Sequence, residues 1–120
     1  MTRRRVVITG LGLVSPVGNT VEEGWQNIVA GRSGIGHVSK FDTSTFPVRI
    51  AGEVKGFDIT SYISSKDARR MDNFIHFGMA AGIQAVRDAG LDKENVADLE
   101  SVGVAIGSGI GGMPLIEVNK

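Results

Sequence analysis

The sequence predicts an α/β fold, and two stretches of the chain carry that prediction. Residues 101–113 have the sequence SVGVAIGSGIGGM, in which Val102, Val104 and Ile106 alternate with small residues before a run of glycines. This alternation is typical of a strand that other elements approach closely, and such a strand is expected to be buried and central in its sheet. A helix predicted over 72–89 is apolar or small on nearly every side, as in the middle layer of an α/β protein.

The first part of the chain predicts a strand followed by a helix. Residues 6–14 are mostly apolar and branched, which indicates a first strand, and the turn-forming residues 15–19 end it. Thr20 and Glu23 have capping-box spacing, so a helix is expected over 21–30, closed by the glycine at the next position. The residues expected on its buried side are Trp25, Ile28 and Val29.

The middle of the chain predicts an irregular region, an edge strand and a short helix. Residues 32–46 are polar and rich in turn formers, and Pro47 excludes a helix at that point. Residues 48–54 are a candidate edge strand. The sequence at 64–67, Ser-Ser-Lys-Asp, is typical of the start of a short helix.

The helix predicted over 72–89 has the clearest pattern in the chain, and Gly90 closes it. Gly78 and Gly82 lie four residues apart inside this helix, where each glycine costs about 1 kcal/mol relative to alanine. Two glycines at this spacing need a structural reason. We therefore expect a neighbouring backbone to approach this face of the helix.

The last stretch of the sequence resembles the start of another helix. A polar connection at 92–99 leads into the predicted strand, and Pro114 then suits the first helical position of residues 113–120. No cap or closing glycine follows before Lys120, so we expect the sequence to be cut within an element.

Composition bounds the class of protein. The 120 residues are enough for one domain, and 13 basic against 13 acidic residues leave no net charge to attract nucleic acid. No apolar run approaches the ~20 residues of a membrane span. The arginine-rich start resembles a signal peptide, but Thr9 and two glycines interrupt its apolar run, so we expect a mature, cytoplasmic N-terminus. The chain has no cysteine, which excludes thiolate metal sites and a cysteine nucleophile within these residues.

One motif indicates an alternative function. Residues 107–112, GSGIGG, match the G-x-G-x-x-G pattern that binds a pyrophosphate at a helix N-terminus. The match is weak, because this is not the first strand–helix turn of the chain and the acidic ribose ligand would fall beyond Lys120. A non-catalytic nucleotide-binding α/β domain therefore stays open as an alternative, with a structural or interaction module after it.

Two further features have a structural and a functional interpretation. Lys66, Arg69 and Arg70 share one face of one or two helical turns, so they form either a solvated surface or a docking site for an acidic partner. Ile110 is the one bulky residue among the glycines and is either a plug for a local gap or the lip of a pocket; the residues alone favour the plug. His37 and His76 have no metal-ligating or catalytic companion at suitable spacing.

Four segments together resemble one enzyme family. VVITGLGLVSPVGN, KDARRMDNF, the helix of small residues and AIGSGIGG occur in the order and spacing of the N-terminal part of an elongating β-ketoacyl-acyl-carrier-protein synthase. SGIGG in place of SGGG favours the synthase II branch over synthase I. The resemblance covers all 120 residues. It implies a thiolase-like fold of five layers, αβαβα, of which residues 1–120 would be a partial N-terminal ketosynthase domain, incomplete at its C-terminal end.

The resemblance also implies a reaction and a place for some residues in it. The family elongates acyl-acyl carrier protein with malonyl-acyl carrier protein by decarboxylative Claisen condensation, using one cysteine and two histidines that cannot be placed here. The segment alone is therefore expected to be inactive, with no catalytic residue, no metal and no cofactor. By position, Lys66, Arg69 and Arg70 match basic residues that meet the carrier protein, and Ile110 matches a side chain of the acyl pocket near the dimer interface. The complete protein would be a cytoplasmic homodimer without membrane or nucleic-acid partners.

Overall fold

The computed structural model describes residues 3–91, 94–96, 98–113 and 116 of the chain. Within these described residues there are three α-helices and one two-stranded sheet, with 3₁₀ turns at Ile59–Ser61 and Leu99–Ser101. In chain order, the helices and strands are α1 (Val21–Val29), β1 (Ile35–His37), β2 (Ile50–Gly52), α2 (Ser65–Ala68) and α3 (Asn73–Asp88).

The capping signal at the start of α1 is confirmed. The Thr20 side chain accepts a hydrogen bond from the Glu23 amide at 3.2 Å, and the Glu23 carboxylate in turn accepts the Asn19 amide at 2.7 Å. These bonds satisfy donors that have no partner inside the helix. At the other end, Gly31 takes a φ of +67°, which only glycine adopts readily, so the helix ends where the sequence predicts.

The predicted buried side of α1 is wrong. Trp25, Ile28 and Val29 are all more than half exposed. The helix packs instead through Gly24, where an added Cβ would lie 2.5 Å from a methyl carbon of Leu13. A glycine contact lets the helix axis lie close to the N-terminal segment, and it turns the larger side chains away from that contact.

The sheet consists of β1 and β2 in antiparallel pairing. Its register places Ile35 opposite Gly52 and His37 opposite Ile50. The predicted edge strand at 48–54 is confirmed in a shorter form as β2. Its partner β1 lies within residues 32–46, where the turn-rich composition predicted no strand, because three residues are too few to show a period of two.

Helix α3 has the bounds that the sequence predicts. The Asp72 side chain accepts the Asn73 amide at its start, and Gly90 takes a φ of +65° just after its end. Ala80, in the middle of the helix, is completely buried. The short helix α2 is also confirmed, with Ser64 as its N-cap.

The N-terminal segment packs its backbone on the alanine side of α3. A Cβ on Gly12 would overlap the carbonyl oxygen of Ala81, and one on Gly10 would overlap the carbonyl oxygen of Ala85. A backbone neighbour of α3 was therefore predicted correctly but on the wrong face. At Gly78 the nearest atom to an added Cβ is a side-chain carbon of Ile106, at 3.7 Å.

The first predicted strand, at 6–14, is not formed. Side chains of α3 take the backbone donors of this segment: Asp88 accepts the Leu11 amide at 2.9 Å and Gln84 accepts the Leu13 amide at 3.1 Å. The only pairing assigned nearby among the described residues is an isolated bridge between Ser15 and Gly18. Side chains of α3 therefore occupy the place in which the sequence pattern of residues 6–14 predicted a neighbouring strand.

The central strand predicted at 102–106 is also wrong for this chain. The segment has no assigned strand structure, and Val104 is 84% exposed. Its alternating sequence has the pattern of a strand, but no other described segment pairs with it. The helix predicted at 113–120 lies largely outside the described residues, apart from Met113 and Ile116.

The chain exposes far more surface than a compact domain of its size. Its accessible area is 9939 Å², whereas a folded monomer of 12.7 kDa has about 6,200 Å². Its radius of gyration is 17.8 Å, against about 14 Å for a compact chain of this length. Among the described residues, Ala68 and Ala80 are the only buried apolar side chains. Apolar faces, including that of residues 102–106, are therefore left uncovered.

In the described ranges, no helix has the length and apolar character to cross a bilayer.

The exposed apolar surface generates a first prediction. The 1–120 chain produced by itself is expected to self-associate at micromolar concentration and to lack a sharp thermal transition, because patches beyond a few hundred Å² drive association. Light scattering coupled to size exclusion, together with calorimetry, measures both properties. A monomer with a cooperative melt would contradict the prediction.

The contact between Gly12 and α3 generates a second prediction. Gly12→Ala should destabilise the full-length protein by about 1–3 kcal/mol or more, because the added methyl group meets a backbone carbonyl that has no rotamer to change. Chemical denaturation measures the loss. Gly36→Ala is the matched control, since its Cβ would lie 3.7 Å from the flexible end of Lys55. Equal stability of the two variants would show that the contact between Gly12 and α3 does not limit stability.

Candidate functional site

The first candidate surface is the basic patch formed by Lys66, Arg69 and Arg70. All three side chains are exposed, while Ala68 between them is 8% exposed and faces the rest of the chain. Lys66 lies in α2, Arg69 is the C-cap of this helix, and Arg70 follows in a turn. Among the described residues, none of the three side chains makes a hydrogen bond or ion pair.

The two acids next to the basic patch are engaged elsewhere. The Ser64 hydroxyl donates a 2.6 Å hydrogen bond to the Asp67 carboxylate at the start of α2. Asp72 accepts the Asn73 amide at 2.6 Å at the start of α3. Both carboxylates therefore face helix N-termini, where a negative charge is favourable. The patch keeps its positive charge available to an external anion.

Helix α2 has four residues, so its position depends on its surroundings. The segment before it is fixed on α3 by aromatic contacts: the ring of Phe57 meets Phe77 edge-on at 5.2 Å and stacks with Tyr62 at 6.3 Å. One side chain of α3 bonds directly to α2, where His76 Nε2 lies 2.9 Å from the carbonyl oxygen of Ala68. The basic patch is therefore linked to α3 through His76 and through the 3₁₀ turn at Ile59–Ser61.

The second candidate surface is the glycine turn, residues 107–112. Gly111 takes a φ of +79° and lies against the ring of Phe74. An added Cβ on Gly112 would overlap the Asp72 carboxylate. The turn is thus held on the first turn of α3 by its last two glycines, and Ile110 projects from it with 75% of its surface exposed.

The exposure of Ile110 decides between its two structural interpretations. A plug would be buried in a local gap, so the plug favoured by the sequence is wrong for this chain. A groove of about 480 Å³ does lie beside the turn, and it is lined by Phe74, Ile75, Phe77, Gly78, Met79, Ile106, Gly107 and Ser108. Ile110 is not among these lining residues. The groove is apolar, as a site for an acyl chain must be.

The glycine turn does not suit a pyrophosphate. The segment before it is not paired in a sheet, and the Oδ2 atom of Asp72 is buried against Gly112 without a hydrogen-bond partner. An unpaired carboxylate oxygen at this position would repel a phosphate. The nucleotide-binding alternative is therefore not favoured.

The carboxyl groups with a shifted pKa belong to neither candidate surface. Four carboxyl groups have a pKa below the ordinary value because each accepts hydrogen bonds from a serine or threonine. The pairs that lower the pKa are Asp42 with Ser44, Glu53 with Ser39, Asp58 with Thr60 and Asp98 with Ser101. Across the described part of the chain, no group of three or more His, Asp or Glu side chains could hold a metal ion. His37 is exposed in β1, and His76 lies in α3.

Two structural roles were missed by the sequence interpretation. His76 was placed as a solitary polar residue, and its bond to a backbone carbonyl eight positions earlier has no sequence signature. Gln84 bonds three segments at once, since it accepts the Leu13 amide and donates to the Asn19 carbonyl and the Tyr62 hydroxyl. The one sequence feature that could have indicated this role of Gln84 is a glutamine inside a helix of small residues.

Comparison with known proteins agrees on one family. The family profile described as "Beta-ketoacyl synthase, N-terminal domain" matches residues 3–119. The chain is 59% identical over 119 residues to 3-oxoacyl-[acyl-carrier-protein] synthase 2 of Vibrio cholerae serotype O1, covering 98% of this chain and 28% of that protein. It is 51% identical over 119 residues to the protein of the same name from Coxiella burnetii, covering 99% and 28%.

A solved structure agrees with this assignment. The ishigamide ketosynthase/chain length factor superposes with a TM-score of 0.68 at 37% identity, covering 79% of this chain and 24% of that one. This likeness supports the thiolase-like fold expected from the sequence. The chain spans little more than a quarter of the length of the curated relatives it matches.

Proposed function

The chain belongs to the β-ketoacyl synthase family, and from that premise we propose that it is the N-terminal part of a condensing enzyme of fatty acid biosynthesis. The enzyme would elongate acyl-acyl carrier protein with malonyl-acyl carrier protein by decarboxylative Claisen condensation. The observation that carries the proposal is the identity of 51–59% to 3-oxoacyl-[acyl-carrier-protein] synthases 2 over almost every residue of the chain. Residues 1–120 would form an incomplete N-terminal ketosynthase domain within a five-layer αβαβα fold.

The contribution of this chain to the reaction is binding. It has no cysteine, and neither of its histidines lies in the motifs that carry the histidines of the family, so condensation by the segment alone is not expected. Lys66, Arg69 and Arg70 are proposed to bind acidic residues of the acyl carrier protein. Their exposure and their lack of ion pairs among the described residues support this role, because no internal bond must break before a partner binds.

Ile110 is proposed to line the acyl pocket of the complete enzyme. The glycine turn that carries it is anchored through Gly111 and Gly112, so the side chain can meet a substrate while the backbone stays in place. The apolar groove next to the turn supports an acyl ligand in this region. The complete enzyme is further proposed to be a homodimer in the cytoplasm, with Ile110 near the dimer interface.

The carrier-protein role generates a third prediction. In the full-length protein, Arg69→Glu combined with Arg70→Glu should lower affinity for the acyl carrier protein by roughly tenfold or more at low salt, because like charges then face each other. Thermal stability should change little, since exposed charges contribute little to it. Surface plasmon resonance at several salt concentrations measures the affinity and its salt dependence.

The control for this variant carries the same change in net charge at another place. Arg3→Glu combined with Arg4→Glu alters the exposed N-terminal segment and leaves α2 unchanged. If the variant with Arg69→Glu and Arg70→Glu binds as tightly as wild type, or if both double variants lose the same affinity, the basic patch is an ordinary solvated surface.

The acyl-pocket role generates a fourth prediction. Ile110→Trp should exclude long acyl chains and spare short ones, since a pocket wall discriminates by about 1–3 kcal/mol per methylene, or roughly 10- to 200-fold in rate. Ile110→Ala should accept longer chains at some loss of stability. The measurement is kcat/KM for a series of acyl thioesters of increasing length. A uniform slowing across the series would show that Ile110 has no contact with the acyl chain.

A further inference from the structure

The basic patch is built on a helix that cannot hold its own position. Helix α2 has four residues, and a helix this short is not stable without tertiary contacts. Its contacts include packing on the 3₁₀ turn at Ile59–Ser61, the Ser64 cap at its start, the burial of Ala68 and the bond from His76. Of these, only the bond from His76 joins α2 directly to a side chain of α3.

The bond from His76 is made at the backbone carbonyl of Ala68, the buried residue between Lys66 and Arg69. The Ala68 carbonyl oxygen accepts the Met71 amide at 3.1 Å and the His76 ring nitrogen at 2.9 Å, so both of its acceptor directions are used. Arg69 and Arg70 follow this carbonyl directly in the chain. The position of the Ala68 peptide therefore affects where the backbone places these two arginines.

His76 is itself held in place. It lies in the first turn of α3, its amide donates to the Asp72 carbonyl at 3.2 Å, and its bond to Ala68 is partly buried. The helix behind it runs for 16 residues and includes the fully buried Ala80. A long packed helix thus carries the donor, and a short exposed helix carries the acceptor.

We propose that His76 is a positioning residue for carrier-protein recognition, fixing α2 so that Lys66, Arg69 and Arg70 present one arrangement of charge to the acidic partner. The inference rests on the proposed function of the basic patch. His76 touches neither the carrier protein nor the reacting atoms. It acts by keeping the binding-competent orientation of α2 populated, because a partner binds more weakly in proportion to the fraction of protein that lacks that orientation.

The test uses three variants of the full-length protein. His76→Leu removes the donor and keeps an apolar side chain of similar reach. His76→Gln is the matched rescue, since its amide nitrogen can donate to the Ala68 carbonyl from about the same distance along the side chain. Arg69→Glu combined with Arg70→Glu removes the patch itself and tests the proposed function separately.

Steady-state kinetics compare two substrates for each variant: an acyl chain on the carrier protein and the same chain on pantetheine, which has no protein surface to meet α2. His76→Leu should raise KM for the carrier-protein substrate about three- to tenfold, the change that the loss of one hydrogen bond allows. Its kcat, and its kinetics with the pantetheine thioester, should match wild type. His76→Gln should restore KM for the carrier-protein substrate.

A second measurement follows α2 directly. Amide hydrogen exchange of residues 65–71 without carrier protein should become faster in His76→Leu and stay at the wild-type rate in His76→Gln and in the double arginine variant. The salt dependence of carrier-protein binding should persist in His76→Leu, because its charges are intact, and flatten in the double arginine variant.

Several results would overturn the inference. Wild-type KM for the carrier-protein substrate in His76→Leu, an equal loss with both substrates, no rescue by glutamine, or failure of His76→Leu to fold would each give His76 a purely structural role or none. If the double arginine variant binds carrier protein normally, the proposed function of the patch fails instead. The two failures are therefore distinguishable.

Discussion

The first turn of α3 bonds to both candidate surfaces, and their relative placement depends on it. Asp72 caps the helix with one carboxylate oxygen and places the other against Gly112 in the glycine turn. One turn later, His76 bonds to the last residue of α2 below the basic patch. A rotation of this helix start would move Ile110 and the arginines together. The two candidate surfaces are thus tied to one helix start.

The helices could be predicted from sequence because their signals are local. Thr20 with Glu23 forms the cap that the spacing predicts. Ser64 and Asp72 cap helices that begin at or next to the predicted positions. Closing glycines take positive φ where expected. The exposure of Lys66, Arg69 and Arg70 follows from their charge, whereas their common face on a helix stays a prediction, because α2 ends at Ala68.

The strands predicted at 6–14 and 102–106 were wrong because a strand is completed by its neighbour, whereas the edge strand at 48–54 was found in a shorter form. The alternation at 102–106 is real, yet no other described segment pairs with it, and residues 6–14 bond to side chains of α3. The same limit applies to contacts that join distant positions. His76 with the Ala68 carbonyl, and Gln84 with three segments, leave no periodic pattern for a sequence to display.

The two proposed sites differ in how much of each lies within this chain. The basic patch has its charges, its cap and its supporting histidine among the described residues, so its geometry is largely set here. The acyl site is different, because Ile110 is 75% exposed and the groove beside it is open. Apolar surface of this kind is stable only when another surface covers it. Carrier-protein docking should therefore depend on local bonds in this segment, whereas chain-length selection needs the groove to be closed by the rest of the enzyme.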